Sequence, residues 1–335
     1  MTNATKTLAL VFAGSLVLAF ATSWQWDSAS SAAFQEEVLP VDTSAVHTVR
    51  IASPDRPTLR LTRSTGGWVV SSADTAATYP ASPDAVGDLL RSVPGLAVAA
   101  VATRRPEKHP RYGVDSTGTT LTLLDASGKR LGALVLGRTQ FRDAAGGGSA
   151  GGALQRRRRT GTTITYVRPP EQPDVYAVEA SLRSFSAWDL TGWRDKRLWS
   201  VSRAQVQRID FPSPADSSFA IRRVAAPDTA ATPAAWVSAG DTLSQRRVSP
   251  LLRVLTAPRA DAFAEALSPS DLQDAPYTLR LHLADGTQRT LRLSPAPAGS
   301  FYRAAADEYP YVAELRDGAW DDSVLQGRST FLSDD

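Results

Sequence analysis

Val46-His47-Thr48-Val49-Arg50-Ile51 and, in the second half of the chain, Val206-Gln207-Arg208-Ile209-Asp210-Phe211 alternate apolar and polar side chains in the same phase. A period of two places every second side chain on one face, the pattern of a strand buried on one side only. The elements that follow each stretch recur in one order. A second strand comes next, Leu59 to Leu61 with Arg60 outward in one half and Phe219 to Ile221 in the other. Trp68-Val69-Val70 and Trp236-Val237 then complete two small meanders, each opening its third strand on a tryptophan.

Ser82-Pro83-Asp84 opens a helix over Ala85 to Val93. Val86, Leu89, Leu90 and Val93 fall at helical spacing behind a serine cap and an early proline. Val248, Leu251, Leu252 and Leu255 repeat that spacing in the second half. Leu121-Thr122-Leu123-Leu124 turns at Asp125-Ala126-Ser127-Gly128 into Leu131 to Leu136, and Leu279-Arg280-Leu281-His282-Leu283 turns at Ala284-Asp285-Gly286 into Leu291-Arg292-Leu293. Both read as hairpins. Ile164-Thr165-Tyr166-Val167 and Val175-Tyr176-Ala177-Val178-Glu179 close the first half as Phe301-Tyr302-Arg303 and Tyr311-Val312-Ala313-Glu314 close the second, with Glu179 matched to Glu314. A meander, a helix, a hairpin and a final strand pair predict an α+β fold: two diverged repeats, each a mainly antiparallel β-sheet with a helix packed on one face.

The expected boundaries follow. Residues 45–198 form the first module and 199–335 the second, with the junction near Trp199. The first module carries an insertion, 139–161, whose Gly/Ser run and Arg156, Arg157, Arg158 and Arg159 predict a loop between two strands. Residues 27–44 read as a spacer, and residues 1–26 as a membrane anchor or signal peptide. From Thr7 to Trp26 the chain carries no charge. Twenty residues of helix rise about 30 Å, the thickness of a hydrocarbon core. Trp24 and Trp26 sit where an outer aromatic belt lies, and Lys6 marks the cytoplasmic side, so a retained transmembrane helix is favoured. Ala19-Phe20-Ala21 also fits a signal-peptidase site, the competing reading. Either one carries the bulk of the chain out of the cytoplasm; the retained helix makes it a single-pass protein of the inner membrane.

Composition bounds the chemistry. Hydrophobic residues make up 42% of the 335-residue chain and charged residues 21%, as in ordinary globular proteins. The formal charge of +3 is too small a surplus to indicate a nucleic-acid partner, and no aromatics interleave with the arginine run. With no cysteine, the chain has no disulfide, thiol nucleophile, thiolate metal site or lipidated N-terminal cysteine. Gly147-Gly148-Ser149-Ala150-Gly151 matches a nucleophile elbow only formally, because neither a strand before it nor a helix after it is in place. Gly146, Gly148 and Gly151 satisfy a dinucleotide-binding pattern in the same empty way. His47, His109 and His282 lie far apart and lack metal-ligand spacing. Neither a catalytic residue, a metal ligand nor a cofactor is assigned. The candidate interaction residues are Arg156 to Arg159, for an anionic lipid or acidic partner, and Tyr112; the competing readings are a solvated loop for the arginines, and for Tyr112 a packing role beside a positive-φ turn at Gly113.

Tyr112-Gly113-Val114-Asp115 before the first hairpin, Leu136-Gly137 ending it, the tryptophan strand before the helix and Trp193-Arg194-Asp195-Lys196-Arg197-Leu198 after the closing strands resemble, together with the N-terminal anchor, the bacterial family known as domain of unknown function 4340. The resemblance spans nearly the whole chain. The second repeat departs from it, with Leu272-Gln273-Asp274-Ala275-Pro276 in place of the Tyr-Gly-Val-Asp stretch. What the resemblance implies is a periplasm-facing protein associated with ABC-type transport components, in a family with no established enzymatic activity. The expected function is therefore a membrane-anchored extracytoplasmic binding or scaffolding protein, accessory to an ABC-type transporter or another envelope protein. The alternative is an envelope hydrolase acting on glycans or peptides in a cleft between the modules.

Overall fold

The computed structural model describes residues 37–143, 161–182, 185, 187–211, 218–224, 235–297 and 299–332. The chain divides after Trp193 into two compact units, each carrying one nine-stranded antiparallel sheet. The first comprises β1 (Thr48–Ser53), β2 (Arg56–Ser64), β3 (Gly67–Ser72), β4 (Thr78–Pro80), β5 (Val98–Thr103), β6 (Thr119–Leu124), β7 (Arg130–Asp143), β8 (Gly161–Arg168) and β9 (Val175–Val178), with helix α1 (Pro83–Ser92) between β4 and β5. Their spatial order is 4-3-2-1-6-7-8-9-5. The chain thus starts at the centre, builds outward to β4, and crosses with α1 to lay β5 at the far edge. It returns to the centre with β6 and builds outward again until β9 meets β5.

The second unit repeats that path. Its strands are β10 (Val206–Phe211), β11 (Phe219–Val224), β12 (Ala235–Ser238), β13 (Asp241–Thr242), β14 (Ala262–Phe263), β15 (Tyr277–Leu283), β16 (Gln288–Pro295), β17 (Phe301–Ala306) and β18 (Ala313–Arg316), with helix α2 (Gln245–Thr256) between β13 and β14. The order 13-12-11-10-15-16-17-18-14 is the first sheet's order with nine added to every label. Equivalence extends to single residues. Val49 lies opposite Leu61 and Leu123, and Ile209 opposite Ile221 and Leu281. Arg63 faces Trp68 as Arg223 faces Trp236. The backbone N–H of Ser82, before α1, donates to the carbonyl of Trp193 at 2.8 Å, and that of Ser244, before α2, to the carbonyl of Phe331 at 2.9 Å.

Each helix covers one sheet face for the reason its spacing predicts. Val86, Leu89 and Val93 of the first, and Val248, Leu251, Leu252 and Leu255 of the second, are buried against the inward residues of β1, β2 and β6 or of β10, β11 and β15. Each such side chain contributes about 1.5–3 kcal/mol of transfer free energy. Ser82 caps the first helix, its hydroxyl accepting the Ala85 N–H at 3.3 Å, with Pro83 opening the first turn. The hairpins match in backbone and differ in side chain. Gly128 and Gly286 both close their turns at φ +82°, open to glycine without strain. The supporting carboxylate comes from Asp125 at the start of one turn and from Asp285 inside the other.

On the opposite face, a short segment covers the far half of each sheet. In the first unit Val114, Val135 and Val175 form this smaller cluster with Tyr112 and Tyr166; in the second, Leu272, Ala305 and Val312 do. The outer face of β1, β2 and β6 lies outside these small apolar clusters.

Several sequence expectations need correction. Each sheet has nine strands because β4, β5, β13 and β14, short or alanine-rich, carry no alternation to announce them. Part of the expected 139–161 loop is strand: Thr139 pairs with Thr165 and Phe141 with Thr163, carrying β7 and β8 outward. Residues 144–160, including Arg156 to Arg159 and Ser149, lie outside the described residues, as do 1–36 with the expected anchor. Among the described residues no helix is long and apolar enough to cross a membrane. Val38 and Leu39, read as spacer, are buried in the first core, and Val38 N–H donates to Leu96. Leu198 and Trp199 pack in the second core, so the division falls before the expected junction. Glu314 pairs with Arg303 and Ala262, and the position equivalent to it is Ala177, paired with Tyr166, in place of Glu179.

Candidate functional site

β1, β2 and β6 alternate strictly, so the residues that do not enter the core all point to one outer face. Arg50 lies directly opposite Arg60 on β2 and Thr122 on β6, with Thr48 opposite Thr62 alongside. Both arginines are exposed. Among the described residues neither has a carboxylate within ion-pair distance. Like charges at directly opposed positions destabilise a sheet, so this pair is a local cost that no carboxylate among the described residues offsets. The arrangement presents two guanidinium groups on a rigid, threonine-flanked surface, suited to carboxylate or phosphate groups of a partner.

The same place in the second unit is wired differently. Asp210 occupies the position of Arg50 and Arg208 that of Thr48. The Asp210 carboxylate accepts from Arg208 Nε at 2.6 Å and from His282 Nε2 at 2.7 Å. Partial burial opposes ionisation of Asp210, but the hydrogen bonds from Arg208 and His282 outweigh it and hold the carboxyl below its usual value of 3.8. A carboxyl with a lowered folded-state pKa adds stability that is present above 3.8 and lost as pH falls through the folded value. Asp210 is itself half-buried, but its partners Arg208 and His282 are open to solvent, so Asp210→Asn should cost only about 1 kcal/mol at neutral pH. Urea melts of the two proteins should converge on acidification below pH 3.8; a gap that persists there would contradict the assignment.

Tyr112, the other sequence candidate, is a packing residue. Its hydroxyl donates to the Ala102 carbonyl at 3.1 Å, and its ring meets that of Tyr166 at 4.7 Å. Gly113 follows at φ +65°. A Cβ on Gly137 would lie 2.6 Å from Val114 Cγ1, and one on Gly118 would lie 2.7 Å from the Gly113 carbonyl oxygen. Tyr112 to Val114 therefore rests on the backbone of β7, and Arg168 ties it down, donating through Nε to the Val114 carbonyl at 3.1 Å. Trp193 is wholly buried in the first core. Arg194 is buried in the second unit, its guanidinium carbon 3.6 Å from the Phe263 ring centre and 4.8 Å from that of Tyr311, with Glu265 as ion-pair partner. Tyr112 to Val114, Gly137, Trp193 and Arg194, described residues among those that carry the family resemblance, are packing positions within their own units.

Each histidine has its own separate partner. His47 contacts Thr48, His109 lies 2.8 Å from the Pro173 carbonyl, and His282 bonds Asp210. Among the described residues no group of three or more His, Cys, Asp or Glu side chains is placed to hold a metal ion. Arg50 and Arg60 were missed by sequence reasoning. Arg60 is outward by alternation alone, but its opposition to Arg50 depends on strand register.

No curated protein and no solved structure matches the chain. The family model described as domain of unknown function (DUF4340) matches residues 72–281. That span begins at the end of β3 and reaches into β15, so it takes in α1, both small-cluster segments, the Trp193–Leu198 stretch and α2. Covering more than half of the sequence, this match shows that the chain belongs to the DUF4340 family.

Proposed function

We propose that the chain is a membrane-tethered, extracytoplasmic binding or scaffolding protein, accessory to an ABC-type transporter, and that it meets an acidic surface of its partner through the outer face of the first sheet. The observation that carries this reading is the exposed, directly opposed pair Arg50 and Arg60. An internal function for the pair would call for a carboxylate beside it, as the second unit has in Asp210. The uncharged run from Thr7 to Trp26 supports the tether. The partner's surface carries the missing negative charge.

The test is recovery of partners from native membranes. The full-length chain, solubilised in mild detergent and crosslinked, should bring down transporter subunits, identified by mass spectrometry. A chain lacking residues 1–26 should recover fewer, and Arg50→Glu/Arg60→Glu in the full-length chain should reduce recovery at least tenfold, equivalent to about 1.4 kcal/mol. Repeated recovery of the protein alone would remove the accessory reading. Equal recovery with the double glutamate variant would move the contact away from this face.

A further inference from the structure

Ile51 on β1 and Leu59 on β2 are direct cross-strand partners at one end of the first sheet. Together with Trp188 they line a cavity of about 200 Å³, whose remaining wall includes Arg56, Ser72 and Asp74. In the second unit the register-equivalent partners are Phe211 and Phe219. Their rings stack at 4.4 Å with planes 7° apart, and Phe331 adds a third ring about 6 Å from both. Phe331 holds the position that Trp193 holds in the first unit, since each gives its carbonyl to the serine before the helix. One copy thus fills this end of its sheet with stacked phenyl rings. The other has two aliphatic side chains there and an open space.

The walls of that space are set. Trp188 packs edge-on against Trp193 at 5.0 Å and against Phe185 at 5.9 Å. The polar groups are already engaged: the Ser72 hydroxyl donates to Asp74, Arg56 to the Ala187 carbonyl, and Gly192 N–H to Asp189. An apolar occupant would therefore orphan none of these groups, and the cavity offers it Ile51, Leu59 and the indole of Trp188. A cavity of roughly 150 Å³ with aliphatic and aromatic walls holds one benzene ring, whereas drug-sized ligands occupy about 300 Å³ or more. The size is that of one ring, or two fused rings.

We propose that this cavity binds a single compact aromatic group, the place of which the second copy fills with its own phenylalanines. The group is a free small aromatic or the ring of a tryptophan or phenylalanine on a peptide; both present the same chemistry to the cavity. The site is separate from the arginine face and stands whether or not that face meets a transporter.

The probes are indole, phenol and N-acetyl-tryptophanamide, titrated into the full-length chain and followed by calorimetry and by the methyl resonances of Ile51 and Leu59. Saturable binding with a Kd near or below about 1 mM is expected, together with ring-current shifts of both methyl signals. Ile51→Phe/Leu59→Phe, which copies the second unit, should weaken binding at least tenfold. Leu59→Phe alone, a smaller change, should weaken it partially, and the methyl shifts need no variant at all. Indole binding without N-acetyl-tryptophanamide binding identifies a free ligand; comparable or tighter binding of the amide identifies a peptide-borne ring. Failure of all three probes to shift the two methyl signals, or undiminished binding to the double phenylalanine variant, would overturn the proposal.

Discussion

Gly137→Ala is expected to destabilise the first unit by about 3 kcal/mol, and Gly137→Val by more. The reason is backbone-to-backbone contact. A Cβ at this position would lie 2.6 Å from Val114 Cγ1 and 3.1 Å from the Gly113 carbonyl, and would run closest of all into the Tyr112 carbonyl. Two of these obstacles are main-chain atoms of a segment fixed by the Arg168 hydrogen bond and by the Tyr112–Tyr166 contact. They cannot rotate away as a flexible side chain would. To admit a methyl group, Tyr112 to Val114 must lift off β7, exposing the Val114, Val135 and Val175 cluster. Gly318, in the short helix Asp317–Ser323 with nothing within 4 Å of its added Cβ, is the control. There alanine should be neutral or stabilise by up to about 1 kcal/mol through helix propensity. Chemical melts of both variants, read with hydrogen exchange at β7, check the pair. A Gly137→Ala protein as stable as wild type would show that the segment does not rest on β7.

Trp193→Ala and Phe331→Ala should each cost about 3–5 kcal/mol. These residues hold equivalent places, each buried and each feeding its carbonyl to the residue before the covering helix. Trp193 stacks on Phe185 at 6.0 Å and meets Trp188 edge-on; Phe331 closes the Phe211–Phe219 stack. Truncation leaves a ring-sized void beneath a helix in both cases. The substitutions should loosen different helices: exchange protection should fall over Pro83–Ser92 for Trp193→Ala and over Gln245–Thr256 for Phe331→Ala. Identical exchange changes in the two variants would contradict the assignment of each aromatic to its own core.

How much of this was legible follows from which residues alternate. β1 and β10, both helices and both hairpins each bury one face, and their spacing states it. Val98-Ala99-Ala100-Val101-Ala102-Thr103 does not, because this edge strand is largely exposed and small-residued; its place beside β9 emerges only when the chain closes. The match of Glu179 to Glu314 failed by two residues, the one error that alternation cannot detect, since a shift of two keeps every side chain on its face. The repeat itself survives that slip because the core positions around it agree. Site residues were harder to see. Arg50 and Arg60 become a pair only through register, and the cavity beside Ile51 and Leu59 depends on a tryptophan far along the chain. Tyr112, by contrast, was singled out by the family motif as an interaction candidate, and its hydroxyl and ring are taken up in packing.

The central claim is that both halves build the same nine-stranded path, including the far-edge strand laid down after each helix. The absence of native cysteine allows a clean test. Ala100 pairs with Ala177 across β5 and β9, and Ala262 with Glu314 across β14 and β18; directly opposed strand residues fall within disulfide range. Ala100→Cys/Ala177→Cys and Ala262→Cys/Glu314→Cys, each oxidised as folded protein and mapped by peptide mass spectrometry, should both form their disulfide in high yield. Arg60→Cys/Thr122→Cys, placed on strands either side of β1 and so about 10 Å apart, should not. Two crosslinked edge pairs with a free control are the result the duplicated path predicts. Failure of either edge pair while the control crosslinks would contradict it.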